Sequence, residues 1–344
     1  PMSKTNEKNF GKLLGKISDS SLQSALDEFD LGQLVSSEAI PFGLFGQNAF
    51  LESTSGSYVL RTCAFYDWQL PTEQFFSKLI HQRTQVPAPW PYLLSESEII
   101  FGFQYGFAIM PRLPGITTAD PETYKSFNSS QKSSLAMAQG TALRELQKLT
   151  NDVSGKYDHI EKAVIPFPNG YVARTVERIR KNVATSIEYP NPHISQTDKD
   201  WIESTLADAA KLSDDFQPVI VHEDFNRNNM TVEQGDNDNW QITGLFDLMT
   251  AHFGDGLADI PRQFSMYIEE GLLTVAEDYI KAYLDGATLD AEAKQRLELY
   301  LIDDRLLIWQ YFHRPNHDRS RFDEKSGLKE WLSPFLDVLH QIID

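Results

Sequence analysis

The stretch VIVHEDFNRNNM, residues Val219–Met230, determines how the rest of the chain is interpreted. Its first three residues are β-branched and apolar, a pattern that predicts a short buried strand. The next eight residues hold one histidine, two carboxylates, one arginine and three asparagines, which is more hydrogen-bonding capacity than a solvated turn needs. The stretch therefore predicts a strand that leads into a ligand-binding or catalytic loop.

Length and composition predict a globular protein of one large or two ordinary domains. The chain has 344 residues, of which 41% are hydrophobic, and this is enough to fill a substantial core. Its one cysteine, Cys63, excludes an internal disulfide and a zinc site built from cysteines. No apolar run is long enough for a membrane helix, and the first residues lack the apolar segment of a signal peptide. We therefore expect a cytoplasmic protein without a membrane partner.

The charge balance favours some partners over others. Lys and Arg total 31 against 49 Asp and Glu, which gives a formal net charge of -18. This charge argues against nucleic acid as a partner, because binding to a phosphate backbone requires a basic surface. A cationic ligand would be attracted, although acidic composition can also serve solubility alone.

The first third of the chain has the pattern of an antiparallel sheet with one helix. Residues 40–65 predict three strands separated by a glycine-containing loop and a Ser-Gly-Ser turn. Apolar residues at helical spacing predict a helix from Pro71 to about Gln85, with Thr72 as its N-cap. Residues 98–110 predict two further short strands.

Helical patterns dominate after residue 111. They cover residues 133–149, 171–187 and 198–212 and most of the chain after residue 291, and a strand-rich segment between them contains the opening stretch. The sequence thus predicts an α+β fold with two lobes. We expect the small lobe to span residues 1–111 and the mainly helical lobe residues 112–344.

The strand-rich segment also predicts a β-hairpin. Met230-Thr-Val and WQITGL are separated by the polar turn EQGDNDN, so Asn229 lies just before the first strand and Asp247 lies at the end of the second. The hairpin therefore brings an amide oxygen and a carboxylate side by side, and these are ligands that suit Mg²⁺. Asp224, five residues before Asn229, remains available to orient a hydroxyl nucleophile.

The pattern His222-x-Asp224-x-x-x-x-Asn229, followed by Asp247, resembles the catalytic core of the aminoglycoside phosphotransferase family. This family of small-molecule kinases includes hygromycin phosphotransferase-like and choline kinase-like enzymes and shares the protein-kinase fold. The resemblance implies that Asp224 is the catalytic aspartate, that Asn229 and Asp247 hold Mg²⁺, and that His222 braces the loop. Gly254, Asp255 and Asp259 resemble the family's next signature. Three positions depart from the usual family pattern: Glu223, Leu248 and Gly256.

The N-terminal third fits the same resemblance. The phosphate-binding loop would contain Gly46, Gln47 and Asn48. Arg61 would be the strand cation and Glu73 its helical carboxylate partner, although Gln74 is adjacent and the register is open by a few residues. The backbone of Met110 to Arg112 would contact the adenine base.

A protein kinase is excluded because only six residues separate Asp247 from Gly254 and no A-P-E motif follows. The acceptor should therefore be a small molecule. Helices after Asp259 carry four carboxylates that are candidate anchors for ammonium groups: Glu269, Glu270, Asp303 and Asp304. An ordinary solvated acidic helix face is the alternative interpretation of these four. Together with the net charge they favour a cationic acceptor such as an aminoglycoside antibiotic.

The implied reaction is transfer of the γ-phosphoryl group from Mg-ATP or Mg-GTP to a hydroxyl of the acceptor. Within the catalytic loop, Arg227 is predicted to contact the γ-phosphate or to form a salt bridge with a loop carboxylate such as Glu223. Two alternatives stay open. One is a kinase of an ordinary metabolite, for example a sugar, choline or an amino alcohol, and the other is a non-catalytic nucleotide-binding scaffold.

Overall fold

The computed structural model describes residues 17–40, 47–62, 65–95, 97, 100–101, 105–189, 194–236, 239–315 and 327–344. In these residues an antiparallel sheet is followed by a mainly helical part, which confirms the predicted α+β, kinase-like class. No helix within the described ranges is long and apolar enough to cross a membrane.

The N-terminal part contains a five-stranded antiparallel sheet in the order β1-β2-β3-β5-β4. Its elements are α1 (Asp19–Asp27), β1 (Leu34–Ile40), β2 (Gln47–Ser53), β3 (Gly56–Thr62), α2 (Gln69–Arg83), β4 (Leu93–Ser95) and β5 (Phe107–Pro111). Helix α1 was not predicted from the sequence. The predicted start of α2 was also wrong, because the helix begins two residues earlier, at Gln69, with Trp68 as its N-cap. Thr72 is a buried residue within the helix.

Helix α2 packs against the C-terminal part through two phenylalanines. Phe75 stacks on Tyr157 with 3.9 Å between ring centroids, and the fully buried Phe76 lies 5.5 Å from the ring of Phe253. A buried phenylalanine in such a contact contributes about 3 kcal/mol by removal of apolar surface from water. This packing fixes α2, and with it Glu73, relative to the strands of the C-terminal part that contain Tyr157 and Phe253.

The C-terminal part consists of helices around two small antiparallel sheets, ordered β11-β10-β6 and β8-β7-β12-β9. Its strands are β6 (Ile116–Thr117), β7 (Gly155–Asp158), β8 (Ala163–Pro166), β9 (Val219–Val221), β10 (Met230–Gln234), β11 (Trp240–Leu245) and β12 (His252–Gly254). Its helices are α3 (Pro121–Lys125), α4 (Ser129–Leu146), α5 (Tyr171–Ile187), α6 (Gln196–Ala209), α7 (Ile260–Glu269), α8 (Leu273–Leu284), α9 (Ala291–Phe312) and α10 (Leu328–Ile343).

Helix α5 coincides with its predicted range, whereas α4 begins four residues earlier than predicted. The reason is a capping box. The side chain of Asn128 accepts from the N–H of Gln131, and the side chain of Gln131 accepts from the N–H of Asn128. The polar start of α4 hid this signal from a search for apolar periodicity.

The predicted hairpin is present as β10 and β11. Met230 pairs with Leu245 at its open end, and the N–H of Phe246 donates to the carbonyl of Asn229 at 3.1 Å. Asp247 follows directly, so the hairpin closes with the two predicted metal ligands at neighbouring strand ends.

Candidate active site

Backbone hydrogen bonds hold the start of the catalytic loop. The loop follows strand β9, which lies at the edge of its sheet and pairs through Val221 with His252 of β12. The N–H groups of His222 and Glu223 donate to the two carboxylate oxygens of Asp259 at 2.7 and 2.8 Å. Asp259 is buried, and burial raises the pKa of its carboxyl, as does the nearby charge of Asp224, while the N–H of His222 opposes the rise. Asp259 therefore acts as the anchor of the loop.

His222 braces the loop from inside. It is fully buried, and its Nε2 lies 3.0 Å from the carbonyl of Phe246, a group that can only accept. The N–H of Asp224 donates to its Nδ1 at 3.3 Å. Both contacts require the neutral Nε2–H tautomer, and burial lowers the pKa of His222 in agreement with that form. The ring thus links the catalytic loop to the end of the hairpin.

The carboxylate of Asp224 is oriented by two amide side chains. Nδ2 of Asn226 donates to Oδ1, and Nδ2 of Asn229 donates to Oδ2, each at 2.9 Å. Arg262 places its Nε 3.6 Å from Oδ1. Although the side chain keeps 41% of its surface exposed, the enclosing walls reduce its solvation and raise its pKa, against the effect of Arg262. The remaining lone pairs of the carboxylate are available to a hydroxyl group.

Asn229 and Asp247 lie at the two strand ends of the hairpin. Both side-chain hydrogen bonds of Asn229 use its amide nitrogen, so its amide oxygen is the atom left for a cation. Asp247 has a backbone φ of 66°, a left-handed conformation that aspartate tolerates better than most residues. The structure therefore places these two oxygen-bearing residues at neighbouring strand ends, and their role as metal ligands stays a prediction.

Arg61 connects the sheet to this pair of residues. Its Nη2 lies 2.7 Å from Oε1 of Glu73 on α2 and 2.8 Å from Oδ1 of Asp247. Glu73 also accepts a hydrogen bond of 2.7 Å from the hydroxyl of Tyr92. Burial raises the pKa of Glu73 to about 7, and the charge of Arg61 opposes this rise. The structure places Glu73, and not Gln74, against Arg61.

The predicted nucleotide-contacting segments are partly described. Gly46 lies outside the described residues, and so does the side chain of Gln47, whereas Asn48 pairs with Arg61 across strands β2 and β3. Met110 is buried near the end of β5. The N–H of Arg112 donates to the carbonyl of Ser57 at 3.0 Å, so that this group is not available to a base.

Glu223 occupies a backbone position that favours glycine. Its φ is 71°, which explains why a small residue is usual in the family at this point of the motif. Its side chain pairs with Arg174, at 3.1 Å, and with Arg178, both on α5. These ion pairs and the backbone bond to Asp259 offset a conformational cost of about 1–3 kcal/mol.

Arg227 forms its salt bridge with a carboxylate other than Glu223. Its guanidinium pairs with Glu270 at the end of α7 and lies 3.9 Å above the ring of Tyr124. Its backbone N–H donates to Gln263 at 2.7 Å. Arg227 therefore pairs with Glu270 and not with Glu223, and its contact with the γ-phosphate stays a prediction.

The other three predicted ammonium anchors also pair with arginines. Glu269 contacts Arg305 at 2.7 Å, and Asp304 contacts Arg262 and Arg305 at the same distance. The fully buried Asp303 receives two hydrogen bonds from Nε of Arg178, at 3.0 and 2.8 Å. Each of the four carboxylates is thus paired with an arginine. Asp303 is buried, whereas Glu269 and Glu270 lie at the surface, as the alternative of a solvated helix face expects. A role of these carboxylates as ammonium anchors stays a prediction.

Sequence reasoning missed three residues that shape the site. Asn226 was visible as one of the clustered asparagines, but the motif assigns no role to its position. Arg262 and Tyr92 carry no local signal, because each reaches its partner only through the tertiary fold.

The fold combines an antiparallel sheet that carries the Arg61–Glu73 ion pair with a helical part that carries the loop of Asp224 and the hairpin between Asn229 and Asp247. This combination is characteristic of kinase-like phosphotransferases. The sequence model of the phosphotransferase enzyme family matches residues 38–300. The chain therefore belongs to that family, and the resemblance stated from its motifs is confirmed.

Solved structures of phosphotransferases share the fold over nearly the whole chain. The aminoglycoside phosphotransferase APH(4)-Ia, in a ternary complex with ADP and hygromycin B, has a TM-score of 0.62 at 14% identity and covers 93% of this chain and 98% of its own. The GDP complex of aminoglycoside 2'-phosphotransferase-IIIa has a TM-score of 0.60 at 13% identity, with 98% of each chain covered. Macrolide 2'-phosphotransferase MphH from Brachybacterium faecium has a TM-score of 0.58 at 18% identity, covering 85% and 92%. No curated protein sequence matches the chain.

Proposed function

We propose that this phosphotransferase moves the γ-phosphoryl group of a Mg-bound nucleoside triphosphate to a hydroxyl of a small molecule. One observation carries the proposal. The oriented carboxylate of Asp224 is hydrogen-bonded by Asn229, and the hairpin that starts at Asn229 closes beside Asp247, which in turn pairs with Arg61. A nucleophile-orienting acid, two cation ligands and a phosphate-binding cation therefore belong to one connected cluster.

The residues of the chain would divide the work as follows. Asp224 accepts the hydrogen bond of the acceptor hydroxyl and takes its proton as the new P–O bond forms and the bond to the leaving nucleoside diphosphate breaks. Asn226 and Asn229 keep the carboxylate in one orientation, and Asp259 keeps the loop backbone in place. Arg61 would hold a phosphate oxygen of the nucleotide, oriented by Glu73.

The residues present fit Mg²⁺. Among the residues that the structure describes there is no cluster of three or more His, Cys, Asp or Glu side chains that could hold a metal ion by itself. The amide oxygen of Asn229 and the carboxylate of Asp247 would be the protein ligands of the ion, because Mg²⁺ commonly binds few protein oxygens and leaves its other positions to phosphate and water. When bound, the ion neutralises negative charge on the phosphate groups.

The test is a panel of acceptors scored by nucleotide consumption, with ATP and GTP run separately. We expect Asp224→Ala to lower turnover by about three or more orders of magnitude and to leave nucleotide affinity nearly unchanged. Asp247→Ala should instead weaken Mg-nucleotide binding. Normal turnover in both variants with the true acceptor would overturn the proposal, and tight nucleotide binding without turnover on any acceptor would favour a scaffold.

An antibiotic is the first candidate acceptor, because the similar solved structures are aminoglycoside and macrolide phosphotransferases. The panel therefore includes hygromycin B and a macrolide, beside a resistance assay in cells. One observation favours an acceptor that carries less positive charge, whether that acceptor is an antibiotic or a metabolite. All four carboxylates that were expected to bind ammonium groups are paired with arginines.

We also propose that the lobes meet between residues 111 and 112. Support comes from the strand pattern, because β5 ends at Pro111 within the five-stranded sheet whereas β6 pairs with β10 of the hairpin. Limited proteolysis tests this boundary. If the lobes meet there, we expect the first cut near residues 111 and 112.

A further inference from the structure

Tyr92 lies behind the ion pair between Arg61 and Glu73. Its hydroxyl donates to Oε2 of Glu73 at 2.7 Å, and the other oxygen, Oε1, lies 2.7 Å from Nη2 of Arg61. The same Nη2 is 2.8 Å from Asp247. Four side chains from four segments thus form a single line of contacts, with Tyr92 at its buried end.

The hydroxyl has a specific effect on Glu73. The glutamate is 3% exposed, so a carboxylate oxygen that lost its donor would have little water to replace it. Because Tyr92 satisfies Oε2, the carboxylate keeps the rotation that directs Oε1 at Arg61. Without the hydroxyl, the carboxylate of Glu73 can rotate. It can then turn away from the guanidinium of Arg61 or contact it with both oxygens.

Tyr92 itself is held in place. Its carbonyl accepts from Nε2 of Gln74 at 2.9 Å, one residue after Glu73 on α2. Its ring is 2% exposed and packs in a small apolar cluster with Leu70, Ala108 and Met110. The tyrosine is therefore a rigid support that ties the orientation of Glu73 to the strand β5.

We propose that Tyr92 is a positioning residue for nucleotide binding, which acts by orienting Glu73 and through it the guanidinium of Arg61. The proposal rests on the proposed role of Arg61 as the phosphate-binding cation. Tyr92 touches neither the nucleotide nor the acceptor in this scheme, and its whole effect passes through one hydrogen bond.

The experiment is a double-mutant cycle on full-length protein, read by the Kd of Mg-ATP or Mg-GTP and by hydrolysis of the nucleotide with water as acceptor. We expect Tyr92→Phe to weaken nucleotide binding about tenfold, the value for loss of a buried hydrogen bond to a charged group. The KM for nucleotide should rise by the same factor while kcat stays within about twofold. In the Glu73→Gln background, Tyr92→Phe should add almost nothing.

Tyr279→Phe is the matched control. This tyrosine is also fully buried, and its hydroxyl has no hydrogen-bond partner within the described part of the chain. We expect unchanged nucleotide affinity in that variant.

The possible results separate the two proposals. If Glu73→Gln leaves nucleotide affinity unchanged, the proposed role of the Arg61–Glu73 pair fails. If Glu73→Gln weakens binding but Tyr92→Phe does not, or if the two effects simply add, the role of Tyr92 is refuted and the proposed function stands. A thermal melt of each variant identifies a loss of binding that comes from unfolding, and the cycle is then repeated below the melting range.

Discussion

Substitution of Asp259 by alanine would test how the backbone of the catalytic loop is held. The carboxylate is 1% exposed and accepts the N–H groups of His222 and Glu223 at 2.7 and 2.8 Å. Asp259→Ala leaves both donors buried without a partner, at about 1–3 kcal/mol each, so the free energy of unfolding should fall by about 2–6 kcal/mol. Asp259→Asn keeps one acceptor oxygen and should lose about half as much.

The same variants should damage catalysis more than nucleotide binding. His222 and Glu223 immediately precede Asp224, and a displacement of about 1 Å at a reacting group can cost about 100-fold in rate. We therefore expect kcat to fall about 100-fold in Asp259→Ala, with the Kd for nucleotide changed by less than about threefold. Urea denaturation measures the stability loss, and turnover with the acceptor found in the panel measures the rate.

Asp198 provides a matched control in the same protein. It is buried and, like Asp259, accepts two backbone N–H groups, from Ser195 at 2.8 Å and Lys329 at 2.9 Å, but on α6 and away from the catalytic loop. Asp198→Ala should therefore lose comparable stability while it keeps kcat. Equal kcat values in the alanine variants at both positions, or an Asp259→Ala protein with unchanged stability, would refute the account of the loop.

Three further predictions concern the same region. Because Glu223 has a φ of 71°, Glu223→Gly should be more stable than Glu223→Ala by about 1 kcal/mol in urea denaturation; equal stability would contradict the assigned backbone conformation. Burial lowers the folded-state pKa values of His222 and His252, so their neutral forms favour the folded state above about pH 6.5, and stability should fall as the pH drops below it. A His252→Asn variant with the same pH slope as the parent would exclude that histidine as a cause. Asn226→Ala removes a hydrogen bond to Asp224 and should lower kcat about tenfold without a change in nucleotide Kd, and a change in Kd alone would count against it.

The local part of the site could be predicted from the sequence. The order strand, loop, hairpin is set by short-range patterns, and closure of the hairpin forces Asn229 and Asp247 to neighbouring strand ends. Helix α5 was equally clear because its apolar face is strongly periodic. Elements whose boundaries depend on polar caps or on tertiary packing, such as the starts of α2 and α4, were placed wrongly by a few residues.

The ionic partners of the site could not be predicted in the same way. Glu270 and Arg227 are 43 residues apart in sequence, and Asp303 and Arg178 are 125 apart, so that no spacing rule connects them. Composition showed only an excess of acid, and this excess was interpreted as free binding groups. The structure pairs these carboxylates with Arg178 of α5, Arg262 of α7, Arg305 of α9 and Arg227 of the loop after β9.

The most direct test of the central claim is the position of a bound metal ion. Crystals grown with Mn²⁺ and a non-hydrolysable nucleoside triphosphate would show the ion by its anomalous scattering. The account predicts a peak at metal–oxygen distance, about 2.1 Å for Mg²⁺, from both the amide oxygen of Asn229 and the carboxylate of Asp247. A peak that neither residue ligates, with nucleotide present, would contradict it.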